Sequence, residues 1–286
     1  MVTAILVAAA LVYAHPEQLV DTAWVVAHAA DANVRVVDMR RSGYPDGHVP
    51  GSVALDPESI RDPKNAPTFV PTPEAFAAMM ARLGISNRTR VIAYDERGGL
   101  YASRLWWLLN YYGHSNVALM DGGWIAWMAE KRPLSTTVPS AMSVPFVPRA
   151  NARWVATAAE IVASIGREDT RIIDARTTGE MDGTDTRNSR RPGVIPSAVP
   201  VYWEDLLDPV RKTFRSAEEI ARLYESRGVL SSHTVIAYCQ VGHRSSVDLF
   251  ALHLIGYSGL RNYFGSWEEW GNRPDLPVEP FRQAAK

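Results

Sequence analysis

Apolar residues fall along the chain in two alternating rhythms, short β-branched runs and longer stretches with helical spacing. Arg171 to Asp174 and Thr234 to Tyr238 are runs of the first kind and predict buried parallel strands. Between them Ser216 stands three residues before Glu219, a capping box, and Ile220, Leu223 and Tyr224 form the apolar stripe of a helix closed by Gly228. Nearer the start, Thr72 caps a helix with Pro73 at its first position and Phe76, Met79, Met80 and Leu83 facing inward. Strands alternating with helices predict an α/β fold, each unit a mostly parallel sheet flanked by helices on both faces.

The pattern occurs twice. Val91-Ile92-Ala93-Tyr94-Asp95 returns as Val235-Ile236-Ala237-Tyr238-Cys239 at an offset of 144 residues, and Arg35 to Arg40 pairs with Arg171 to Arg176 at an offset of 136. Gly123-Trp124 with Trp127 answers Ser266-Trp267 with Trp270. So long a period marks a duplicated domain rather than a solenoid. The length of 286 residues also favours two domains. Pro133, Pro139, Pro145 and Pro148 punctuate the segment from Arg132 to Arg149 and make it an extended linker. The expected organisation is a first domain over residues 15–139, a linker over 140–152 and a second domain over 153–286. Residues 1–14 hold the apolar run Ala4 to Val12, which reads either as an export signal without its basic start or as a packed N-terminal element, so exported and cytoplasmic locations stay equally open. No apolar run is long enough to span a bilayer.

Composition narrows the function. Thirty basic against 31 acidic residues give a net charge of -1, without the positive field that a nucleic-acid partner needs. Cys239 is the single cysteine, which excludes an intrachain disulfide and a thiolate-rich metal site; neither metal nor organic cofactor is expected. His48 reads as a structural hydrogen-bonding residue, and Trp106, Trp107, Trp124, Trp127, Trp267 and Trp270 as core, with Trp267 also a candidate pocket wall.

Cys239 follows a strand directly, and Gln240-Val241-Gly242-His243-Arg244 leads into a helical pattern beginning at Val247. Ligands of open α/β sheets bind at such strand ends. Amides of a tight strand-to-helix loop converge on an anion, and Arg244 favours a thiolate, so the pattern reads as a low-pKa nucleophile rather than a small buried apolar side chain. The matching loop of the first half has Asp95, which supplies no sulfur and would repel an anion; that half reads as scaffold. Asp174 and Arg176 end a strand, as a brace for the loop or as a structural ion pair.

Taken with Val36-Val37-Asp38-Met39-Arg40, His48-Val49-Pro50-Gly51, Asp121-Gly122-Gly123-Trp124, Tyr238 to Ser245 and Gly265-Ser266-Trp267, the chain resembles the tandem-domain rhodaneses over Val20 to Pro280. The resemblance implies two rhodanese-like domains, an inactive first and an active second. Cys239 would then carry sulfur, with Gln240, Val241, Gly242, His243 and Arg244 lining its pocket. Four residues separate Cys239 from Arg244, where related phosphatase loops have five, and the smaller ring suits a sulfane sulfur.

The loop's Arg244-Ser245-Ser246 ending resembles bacterial thiosulfate enzymes, and Arg244, with His243 if protonated, would complement a dianion. The expected partners are a small anionic sulfur donor and a thiol or cyanide acceptor. Three features depart from the family pattern: Gln240 replaces a basic residue, Gly193-Val194-Ile195-Pro196 lacks a histidine, and Glu180 stands where mercaptopyruvate enzymes place arginine. Arg187, Arg190 and Arg191 lie close by, reading either as charges of a solvated surface loop or as a cationic rim that draws in anions, with Arg190 a candidate substrate-binding residue. A 3-mercaptopyruvate sulfurtransferase and a persulfide carrier with little turnover are the alternatives.

Overall fold

The computed structural model describes residues 11–282, so the candidate signal segment lies largely outside the described residues. In the first half the order is β1 (Leu19–Val20), α1 (Thr22–His28), β2 (Val34–Asp38), β3 (Val53–Ala54), α2 (Pro73–Arg82), β4 (Arg90–Tyr94), α3 (Ala102–Tyr111), β5 (Val117–Met120) and α4 (Gly123–Ala129). The second half repeats it with β6 (Val155–Ala156), α5 (Ala158–Ser164), β7 (Thr170–Asp174), α6 (Thr178–Asp182), β8 (Val199–Pro200), α7 (Ala217–Glu225), β9 (Thr234–Tyr238), α8 (Arg244–Leu254), β10 (Leu260–Tyr263) and α9 (Ser266–Trp270).

Each half holds a five-stranded, all-parallel sheet, in the orders β1-β5-β4-β2-β3 and β6-β10-β9-β7-β8. The chain is therefore an α/β protein of two like domains. The capping box at Ser216 forms and α7 starts at the residue after it, while the Thr72 hydroxyl accepts from the Ala75 amide at the head of α2. No helix among the described residues is long and apolar enough to cross a membrane.

One brace is built twice beneath the strand ends. In the first half Arg40 forks onto Asp38, with Nη2 to Oδ2 at 2.7 Å, and the Tyr94 hydroxyl donates to the same carboxylate at 2.5 Å. In the second half Arg176, Asp174 and Tyr238 make the same two contacts at 2.7 and 2.5 Å. Each arginine also donates to a glycine carbonyl, Gly47 or Gly193, at 2.7 Å. Each lies over an indole, Trp124 at 3.7 Å and Trp267 at 4.1 Å. Asp174 and Arg176 are fully buried, so each leans on the other for the solvation it has lost. Because Tyr238 immediately precedes Cys239, the brace fixes the point from which the sulfur loop departs. Trp267 belongs to this brace and to the core, its ring over Arg176 and its Nε1 donating to the Arg191 carbonyl at 3.1 Å.

The halves share a core. α3 packs on α8, with Trp106 edge-on to Phe250 at 5.1 Å between ring centres and Trp107 stacked on Phe264 at 5.7 Å. One continuous apolar cluster contains these residues from both halves together with Cys239. Equilibrium unfolding followed by fluorescence and by far-ultraviolet circular dichroism is thus expected to give one coincident transition. Trp106→Ala should lower its free energy by about 3–5 kcal/mol. Two separated transitions in the wild type would contradict a shared core.

Candidate active site

The sulfur loop turns on Gly242, whose φ of 84° a side chain would strain and whose absent Cβ would strike the Phe264 ring at 2.3 Å. The turn brings the Gly242 amide back onto Cys239 Sγ at 3.1 Å, and the Ser245 hydroxyl reaches the same atom at 3.9 Å. Cys239 is fully buried, yet its sulfur faces donors as well as apolar packing. Burial alone pushes the thiol pKa up. The positive charge of Arg244 and the amides of Ser245, Val241 and Gly242 outweigh that and hold it below its ordinary value.

The loop is tied from behind. Ser266 Oγ accepts from the Cys239 amide at 3.2 Å, and the amides of Trp267 and Glu268 donate to the carbonyls of Cys239 and Gln240 at 2.9 and 3.0 Å. Asn262 accepts from Ser245 Oγ at 2.9 Å and donates to the Gly242 carbonyl at 3.3 Å. Asn262 escaped the sequence reading because it is a polar residue inside a strand with no local pattern to mark it. Gln240 points to the neighbouring loop, where Nε2 reaches Ser189 Oγ at 3.2 Å.

Several charges differ from their expected roles. Arg244 is already engaged: its two terminal nitrogens meet the Glu180 carboxylate at 2.5 and 2.6 Å. Burial works against the Glu180 charge, but Arg244 and the Thr177 cap hold its pKa down at about 2. His243 is buried, edge-on to Tyr101, and burial together with Arg104, Arg61, Arg41 and Arg244 holds its pKa far below the ordinary histidine value. That direction works against the protonated form on which a part for His243 in complementing a dianion depended, and the cations responsible come mostly from the first half.

Arg191 is not on a rim, since it donates to the carbonyls of Trp270, Gly271, Arg273 and Leu276 and clamps the C-terminal turn. Arg187 pairs with Asp185 at 2.9 Å. Arg190 is exposed, and its recorded hydrogen bond is made by its backbone amide, to Asn272 Oδ1 at 3.0 Å.

The first half shows what its matching loop does instead. Asp95 takes the place of Cys239, and its carboxylate accepts from the amides of Arg97 at 2.7 Å, Gly99 at 3.0 Å, Tyr101 at 2.7 Å and Ala102 at 2.8 Å. The cradle is filled by the side chain at its own base, which is a fuller reason than repulsion for it to hold no external anion. The supporting contact is conserved between halves: the Trp124 amide donates to the Asp95 carbonyl at 2.8 Å, as Trp267 does to Cys239. Gly123, at φ 51°, sits where Ser266 holds φ 52°. The second half accepts a strained serine there and gains the hydroxyl that meets the Cys239 amide.

The rhodanese-like domain family matches the chain twice, over residues 21–130 and 157–273. A sulfur carrier protein, TtuD, of Thermus thermophilus is 36% identical over 281 residues, covering 93% of this chain and 98% of its own. A thiosulfate sulfurtransferase of Corynebacterium glutamicum is 35% identical over 281 residues, covering 93% of this chain and 92% of its own. Among solved structures, SseA of Escherichia coli, described with the 3-mercaptopyruvate sulfotransferases, superposes with a TM-score of 0.79 at 26% identity, covering 87% of this chain and 98% of that one. With both halves matched and a single free cysteine set in the loop of the second, the chain belongs to the rhodanese family, as a two-domain sulfurtransferase of the thiosulfate and 3-mercaptopyruvate group.

Proposed function

We propose that Cys239 draws a sulfane sulfur from thiosulfate and passes it to a thiol, with cyanide as an acceptor in the test tube. The thiolate attacks the outer sulfur of thiosulfate, the sulfur–sulfur bond breaks, and its electron pair leaves with sulfite. A persulfide then remains on Cys239. An attacking acceptor thiolate takes the outer sulfur as the bond to Sγ breaks, and the Cys239 thiolate returns to the cradle. No net oxidation or reduction is needed beyond the donor's own sulfane sulfur. The observation that carries this reading is the Gly242 amide 3.1 Å from Sγ, a donor aimed where negative charge sits before and after each step.

Thiosulfate is favoured because the 180s loop offers no free pair of arginines for a substrate carboxylate: Arg191 and Arg187 are committed to other groups. Arg190 remains the proposed rim cation, and the other loop residues line the pocket mainly through their backbone. Relatives named as thiosulfate sulfurtransferases lend the same support. A persulfide carrier is the second reading, favoured by the full burial of Cys239 and by the name of the Thermus relative. Rapid formation of one persulfide per chain with negligible steady-state turnover would select it.

Intact mass after thiosulfate treatment should show one added sulfur on the wild type and none on Cys239→Ser; sulfur on the serine variant would refute the assignment. Because the thiol pKa is lowered, the rate of iodoacetamide alkylation should stay high as pH falls below the ordinary thiol value and drop only through the lowered one. A midpoint at or above the value of a free cysteine would contradict the cradle. Glu180 places a carboxylate where a dianion approaches, so Glu180→Gln should raise kcat/KM for thiosulfate about fivefold, the equivalent of ~1 kcal/mol. An unchanged or lower value would show that the Glu180–Arg244 pair serves the donor as it stands.

A further inference from the structure

Arg104 of α3 is completely buried and makes no ion pair with a carboxylate among the described residues. Its guanidinium lies 3.1 Å over the ring of Phe264, Nη2 donates to the Ile60 carbonyl at 2.9 Å, Nη1 faces the Gly242 carbonyl at 3.4 Å, and Nε has no partner. A buried cation held only by carbonyls and the rings of Phe264 and Trp107 is poorly compensated, and such a group persists where an anion completes it. A single residue links it to the sulfur: Gly242 meets Arg104 with its carbonyl and Cys239 Sγ with its amide.

Arg61 reaches the loop through Glu268. It pairs with Glu268, whose amide holds the Gln240 carbonyl at 3.0 Å, and its side chain is only 13% exposed. Both arginines belong to the half without the thiol, and they reach the loop at two points just after Cys239, Arg104 at Gly242 and Arg61 by way of Glu268 at Gln240. Burial disfavours the charge on each, and the sulfur of Cys239 is among the groups opposing that loss.

We infer that Arg104 and Arg61 are positioning residues of the sulfur site, through which the first half holds the loop at Gly242 and Gln240 and supplies counter-charge to the anionic sulfur. The inference rests on Cys239 being the reacting sulfur. It changes the standing of the first half from passive scaffold to a working part of the site, and it explains why the two halves are packed into one core.

The test is iodoacetamide alkylation of the full chain across pH, read by intact mass, for the wild type, Arg104→Gln, Arg104→Lys and Arg61→Gln, with native circular dichroism required of each. Arg104→Gln should raise the midpoint by about one pH unit, a roughly tenfold slower reaction at neutral pH. Arg104→Lys, which keeps the charge, should recover most of that rate. Arg61→Gln should slow it about threefold, as expected for a charge acting from a partly solvated position.

A folded Arg104→Gln protein with a wild-type profile would overturn the inference, because a purely structural arginine would move stability and leave the thiol titration alone. If Arg104→Gln fails to fold, Arg61→Gln decides, and a wild-type profile there overturns it. The two readings fail separately. A wild-type thiol that titrates normally and takes up no sulfur from thiosulfate sinks the role of Cys239, whereas a low-pKa, sulfur-accepting wild type with unaffected variants sinks only the arginines.

Discussion

Everything in this molecule turns on keeping a negative charge on a sulfur atom that has been taken out of water. A fully buried thiol ordinarily stays protonated, because the charged form loses its hydration. Here the loss is met by the positive charge of Arg244 and by fixed dipoles: the Gly242 amide lies on the sulfur, the amides of Ser245 and Val241 favour its charge, and α8 begins at the same place. Main-chain donors suit the task because they do not titrate and need not reorganise as the charge moves between Sγ and an outer sulfur. The brace of Asp174, Arg176 and Tyr238 fixes the strand end, and the ties from Ser266, Trp267, Glu268 and Asn262 hold the loop in that shape.

The duplication makes the logic visible within one chain. Both halves build the same sheet, the same arginine–aspartate–tyrosine brace and the same tryptophan amide behind the loop. They differ in what occupies the cradle. A carboxylate that reaches four amides from its own position fills the first loop, while a shorter loop in the second is set around a single sulfur.

Local signals were the legible ones. The capping box at Ser216, the strand ending at Tyr238 and the offset between halves are properties of neighbouring residues or of direct repetition, so they appear in the sequence before any folding is considered. The sulfur loop was legible for the same reason, as a strand, a cysteine, a glycine and a helix in immediate succession. What could not be read were the charges that tune it. Glu180 reaches Arg244 across 64 positions, and Arg104 reaches Gly242 across 138. His243 was open to a cationic role until those partners were placed around it, and Arg191 looked like a surface charge until its four carbonyls were found. Long-range electrostatics of this kind depends on packing, and packing is what a linear pattern leaves out.

The most direct measurement is a high-resolution crystal structure of the thiosulfate-treated protein. The account predicts a second sulfur bonded to Cys239 Sγ, lying inside the loop within hydrogen-bonding distance of several amides between Gln240 and Ser245, with the loop backbone unmoved. A second sulfur turned out of the loop, or a loop rebuilt to receive it, would contradict the claim that the loop amides cradle the transferred sulfur.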